Sequence, residues 1–152
     1  MAHARTVSLQ RYVDQRLGSP TGAWDALRRM FVLAFTASSC AAFWRYWNPV
    51  YGYYLYYWAY RPLRRLVPRP VAVVVTFAGC GLLLHDLPHL PFTGIPLITM
   101  WFVVLSIGVL LSDALRMDLS GQPRMLRVAA NVLYLVVSFD VGRRLALLMS
   151  GP

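Results

Sequence analysis

The segment Ile95-Pro96-Leu97-Ile98-Thr99-Met100-Trp101-Phe102-Val103-Val104-Leu105-Ser106-Ile107-Gly108-Val109-Leu110-Leu111-Ser112-Asp113-Ala114-Leu115 meets its first charge only at Asp113. A helix needs about twenty mostly apolar residues to cross the hydrocarbon core of a bilayer, and this run has that length. Working outward, four further greasy stretches appear: Met30 to Trp47, the aromatic run Tyr51 to Tyr60, Val71 to His85, and Val128 to Met149. The aromatic run is too short for a full span and Val71 to His85 is marginal, so each is expected either to cross tilted or to re-enter among its neighbours. The expected fold class is therefore all-α. It is a polytopic transmembrane helix bundle of about four spans plus a short aromatic re-entrant or crossing segment.

The composition agrees with that expectation. Hydrophobic residues make up 58% of the chain and charged residues 14%, where soluble domains carry nearer a quarter charged. Mean hydropathy is +0.50. The net charge of +9 comes from 15 basic residues, all Arg, against six acids, all Asp. Nucleic-acid binding would need a solvated basic face. Here the Arg residues instead cluster between apolar runs, as they do in the cytoplasmic loops of membrane proteins, so no nucleic-acid partner is expected. Cys40 and Cys80 sit in apolar segments without metal-ligand spacing and are expected to be free thiols.

Residues 1–23 are polar and Arg-bearing, with Val7, Leu9, Tyr12, Val13 and Leu17 near helical spacing, which suggests an interfacial amphipathic segment ahead of a bundle at 24–152. Arg28-Arg29 before Met30 resembles a twin-arginine signal, but the greasy segments that follow favour a first membrane helix. If the chain recrosses between Asn48 and Arg61, three Arg clusters share one side: Arg28 and Arg29, Arg61 to Arg69, and Arg116 to Arg127. Asn48 and His85 then share the opposite leaflet. If 49–69 lies flat instead, about 20 Å of helix separates the two residues and they cannot share a site. The chain is expected to be an integral, multi-pass protein of a bacterial inner membrane.

Polar groups inside an apolar bundle are costly and are candidates for function. Asn48 lies in Phe43-Trp44-Arg45-Tyr46-Trp47-Asn48-Pro49, where a proline interrupts an aromatic helix. His85 ends Thr76-Phe77-Ala78-Gly79-Cys80-Gly81-Leu82-Leu83-Leu84-His85, and Asp86 follows it. An imidazole is the usual base for removing a hydroxyl proton. An amide can hydrogen-bond a carbonyl or a developing oxyanion. His85 and His89 are four apart, but Pro88 intervenes and no third ligand is evident, so no metal is expected.

Three motifs then occur in order: Trp47-Asn48-Pro49; Tyr60-Arg61-Pro62-Leu63-Arg64-Arg65; and Gly81-Leu82-Leu83-Leu84-His85-Asp86. Together the stretch from Phe43 to His85 resembles the catalytic region of the membrane-bound O-acyltransferase superfamily, especially its wax synthase and its diacylglycerol and sterol acyltransferase branches. The resemblance implies transfer of an acyl group from a thioester, acyl-CoA or an acyl carrier, to a hydroxyl of a lipid or other amphipathic acceptor. It implies His85 as base, Asn48 as assistant, and Trp44, Trp47 and Tyr60 as walls of the pocket. Arg61, Arg64 and Arg65 either grip the donor's phosphates or serve as ordinary positive-inside anchors. No cofactor beyond the acyl carrier is implied. The alternative is a non-catalytic membrane protein or accessory subunit that keeps an acyltransferase-like segment and packs against another copy or a second membrane subunit.

Overall fold

The computed structural model describes residues 7–89 and 96–150, the side chain of Ser150 excepted. Residues 1–6 of the expected interfacial segment, 90–95 of the loop after Asp86, and with them Ile95 of the opening segment, lie outside the described residues. All regular structure among the described residues is helical.

Helix α1 (Leu9–Leu17) starts where the Ser8 side chain accepts from the Arg11 N–H. It stops at Gly18, whose φ of 72° is the left-handed conformation that glycine adopts without a Cβ penalty. Tyr12 and Leu17 are buried, and the Arg16 guanidinium lies 3.3 Å from the centre of the Tyr12 ring.

The run from Met30 to Trp47, expected as one span, is two helices. Helix α2 (Ala23–Phe35) ends where the Thr36 hydroxyl donates to the Val32 carbonyl, and α3 (Cys40–Tyr46) begins where the Ser39 hydroxyl accepts from the Ala42 N–H. The cause is local: Thr36-Ala37-Ser38-Ser39 carries three hydroxyls that compete for backbone groups and favour caps over helix interiors. The two helices fold against each other, with Phe31 on Trp47, Phe35 on Phe43, and Ala34, Ala37 and Phe43 buried. At about 20 Å and 10 Å, neither is long enough to span alone.

Helix α4 (Pro49–Tyr54) continues through a π-helical stretch, Leu55–Tyr60, into the single turn Arg61–Leu63. Helix α5 (Arg69–Gly81) likewise widens into a π-helical turn, Leu82–Asp86, and α6 (Leu97–Ala114) and α7 (Arg124–Ser150) follow. Helices α5 and α6 are antiparallel: Arg69 pairs with Asp113 at one end and Asp86 bonds to Thr99 at the other. Helix α7 runs back along α6, with the Tyr134 hydroxyl donating to the Leu105 carbonyl at 2.7 Å. Two glycines set these distances. A Cβ on Gly81 would stand 2.7 Å from the Thr99 Cα, and one on Gly142 would stand 2.6 Å from the Trp101 Cα. Small residues allow this approach of backbones.

The α2–α3 corner is fastened to the start of α7. The Asn131 amide, 3% exposed, is shared among the carbonyls of Phe35, Ala37 and Arg127, each at 3.0 Å, and the Leu119 N–H donates to the Ser38 carbonyl. Asp140 pairs with Arg143 and Arg144 one turn on, as the spacing predicts. Two helical stretches, Arg69–Asp86 and Leu97–Ala114, are long and apolar enough to cross a membrane.

Candidate functional site

The geometry around His85 follows from the π-helical turn. Ala72, Val73, Thr76, Cys80 and Gly81 form the buried face of α5. Ordinary helical spacing from Thr76 and Cys80 would carry that face on through Leu83 and Leu84. Instead the Leu87 N–H bonds to the Leu82 carbonyl, five residues back, and the wider turn brings Asp86 beneath Gly81 on the face toward α6. Asp86 is 6% exposed. One oxygen accepts from the Ile98 N–H at 3.0 Å, and the other accepts from the Thr99 N–H and hydroxyl, each at 2.6 Å. The carboxylate therefore caps the start of α6 at the positive end of its dipole.

That rotation leaves His85 on the outer surface with Leu83 and Leu84. Its ring lies tilted 5.6 Å from the Phe102 ring, and its carbonyl oxygen is 2.9 Å from Nδ1 of His89. Trp44 reaches the same Phe102 ring at 6.1 Å and meets Phe77 edge-on at 5.0 Å, while its indole N–H donates to the Tyr134 hydroxyl at 3.0 Å. His85 and Trp44 thus both contact Phe102. Asn48 follows Trp44 by four positions, but the chain has left α3 at Trp47, whose backbone is extended. Asn48 has left-handed backbone angles, φ 42° and ψ 69°, and its Oδ1 accepts from the Tyr51 N–H at 3.2 Å to cap α4. Asparagine is among the few residues that adopt this conformation readily.

The other predicted residues lie elsewhere. Trp47 packs among Phe31, Phe35 and Phe43 in the α2–α3 core. Tyr60 stacks on Tyr56 at 5.9 Å, and the Arg61 guanidinium lies 5.6 Å from the centre of the Tyr57 ring. Arg64 donates to the Val67 carbonyl at 2.8 Å, and Arg65 is exposed. Tyr60, Arg61, Arg64 and Arg65 lie just before the start of α5, whose length puts them on the order of 20 Å from His85. Those four are therefore set apart from the end of α5 that carries His85.

Sequence reasoning missed Phe102, Phe77, Tyr134 and Thr99. For Thr99 a signal existed: a hydroxyl in the first turn of an apolar helix, across a loop from an acid at the end of the preceding one. Among the described residues no three His, Cys or Asp side chains converge as a metal site would require.

No protein-family model matches the chain, and no curated protein or solved structure matches it either.

Proposed function

We propose that the chain is a multi-pass protein of a bacterial inner membrane that moves an acyl group from a thioester, acyl-CoA or an acyl carrier, to a hydroxyl of a lipid or amphipathic acceptor. Support for the membrane half comes from the surface of the two apolar stretches. Only 33% of Arg69–Asp86 and 28% of Leu97–Ala114 is buried within the protein, whereas the core helix of a soluble protein is mostly buried. The remaining apolar faces, continued on α7 by Leu133, Val136 and Leu148, need a nonpolar surrounding. Lipid supplies it. With α2 and α3 each too short to span, the crossings are α5 with its π-helical turn, α6 and α7, and the aromatic run Tyr51 to Tyr60 is the re-entrant element.

The observation that carries the acyl-transfer half is the division of labour within His85-Asp86. The acid is held by α6, and the imidazole is left at the surface beside a ring that it shares with Trp44. In the proposed reaction the imidazole takes the acceptor's hydroxyl proton as the new C–O bond forms. The C–S bond then breaks, and the departing thiolate recovers that proton from the imidazolium. General-base action of this kind accelerates a reaction roughly 10²- to 10⁴-fold. Capping α4 engages only the oxygen of Asn48, and the amide NH₂ is the half of that group an oxyanion requires.

One observation favours the rival, an accessory subunit that acts by packing. Trp47, Arg61 and Arg64 are engaged with other groups of the chain. Membranes expressing wild type, His85→Ala and His85→Gln, supplied with labelled acyl-CoA, separate the two readings. Acyl transfer by wild type alone supports the enzyme. Equal transfer by all three, or transfer by none with acyl-CoA and acyl carrier donors of several chain lengths, removes it.

A further inference from the structure

At the end of the bundle away from His85, Arg69 and Asp113 flank the mouth of a groove of about 400 Å³ between α5 and α6. Ligand sites in proteins have volumes of this order. Beyond the ion pair the lining is apolar: Ala114, Leu111, Leu110 and Ile107, with 107, 111 and 114 at the spacing of one helical stripe. The stripe runs about 10 Å from its charged mouth toward the middle of α6. Leu111 is 55% exposed and Ile107 is 46% exposed, so the floor of the groove is open along its side. Arg69 and Asp113 stand at the first and the next-to-last position of the two apolar stretches. In a bilayer that is the level where headgroups meet chains.

We propose that this groove binds one zwitterionic phospholipid, its phosphate on Arg69, its primary ammonium on Asp113 and one acyl chain along Ile107 to Ala114. A guanidinium has five N–H donors; the Asp113 carboxylate occupies two at most and the Tyr60 hydroxyl one, so the Arg69 side chain, 51% exposed, retains donors suited to phosphate. Asp113, with its side chain 28% exposed, sets the preference. A headgroup carrying only negative charge meets its carboxylate, whereas an ammonium complements it. This inference rests on the membrane reading alone and is independent of any chemistry at His85.

The test uses the full chain. Washing the membranes with alkaline carbonate comes first, since release of the chain would end the membrane reading itself. The retained protein, purified in detergent, is mixed with equimolar phosphatidylethanolamine and phosphatidylglycerol, and bound lipid is counted by native mass spectrometry. Wild type should hold one phosphatidylethanolamine in preference to phosphatidylglycerol. Arg69→Gln should lower occupancy about tenfold, the scale of a lost charge-assisted contact. Asp113→Asn should abolish the preference between headgroups. Leu111→Trp, which fills the groove and leaves the ion pair, should exclude lipid while circular dichroism reports unchanged helix content. Equal retention of the two lipids by wild type, undiminished retention by Leu111→Trp, or detergent alone at the site would overturn the assignment.

Discussion

Replacing Asp86 distinguishes a helix cap from a catalytic partner. Asp86→Ala removes the acceptor for the Ile98 N–H and for both the N–H and the hydroxyl of Thr99, at a site with 6% exposure. Loss of an N-cap costs typically about 1 kcal/mol, and hydrogen bonds to a charged group contribute about 1.5–3 kcal/mol each, with incomplete additivity. We expect a loss of about 3 kcal/mol, or roughly 10 °C in Tm for a chain of this size. Asp86→Asn keeps one acceptor oxygen, enough for the Thr99 N–H and hydroxyl, and loses the bond from the Ile98 N–H, so it should cost less, about 1–2 kcal/mol. Cys80 is a buried free thiol six positions earlier, so with half-buried Cys40 replaced by Ser its labelling by a thiol-reactive fluorophore during a thermal ramp reports unfolding near the cap. If Asp86→Ala melts within about 2 °C of wild type, the cap does not hold the helices together and the argument fails. If Asp86→Asn keeps its melting point but loses acyl transfer as completely as His85→Ala, the carboxylate serves the imidazole instead.

Two further outcomes follow from the same coordinates. Gly81→Ala and Gly142→Ala each place a methyl against backbone that cannot swing aside, at 2.7 Å and 2.6 Å, and should each destabilise by about 1–3 kcal/mol. Gly79→Ala, with nothing within 4 Å, should be neutral or stabilise by up to about 1 kcal/mol in the same melting assay. In the N-terminal region, the hydrogen bond from Arg29 and then that from the Thr21 N–H hold the Asp25 carboxyl below its ordinary range. A carboxyl whose folded pKa lies below its unfolded value stabilises fully above the unfolded value, and that contribution is lost as pH falls through the folded one. Hydrogen-exchange protection at the Thr21 amide should thus be flat above pH 5 and decline below about pH 4. Asp25→Asn should remove the decline, and an unchanged acid profile in that variant would refute the assignment.

The helical class was legible because its signal is additive. Runs such as Leu97 to Ala114 are apolar on every face, so no single misread residue alters the conclusion. The division of Met30 to Trp47 was not, because hydropathy treats Thr36-Ala37-Ser38-Ser39 as tolerable within a span. Whether those hydroxyls tie down their own helix or break it depends on what receives the freed carbonyls. Here Asn131 receives two of them, and it lies more than ninety positions along the chain. A long-range partner of that kind leaves no local trace. The π-helical turns were illegible for a related reason: Leu82 to Asp86 could continue as an ordinary helix, and the wider turn is favoured because it brings Asp86 to the N–H groups of α6.

The same turn explains why the candidate site was only half legible. Sequence order places an acid directly after His85 and so suggests a pair, but adjacent positions on a helix point in different directions, about 100° apart in the ordinary α form. Since Asp86 turns inward to the first turn of α6, the ring lies to its side, exposed and against Phe102 of that same helix. A residue in that setting has two uses. Under the proposed membrane reading it would meet either the acyl chains and headgroups of the bilayer, as an interfacial histidine, or a substrate arriving from the bilayer. For a lipid acceptor these are the same approach, so in the proposed reading an exposed imidazole against Phe102 is compatible with acyl transfer, whereas the same ring facing water would argue against it.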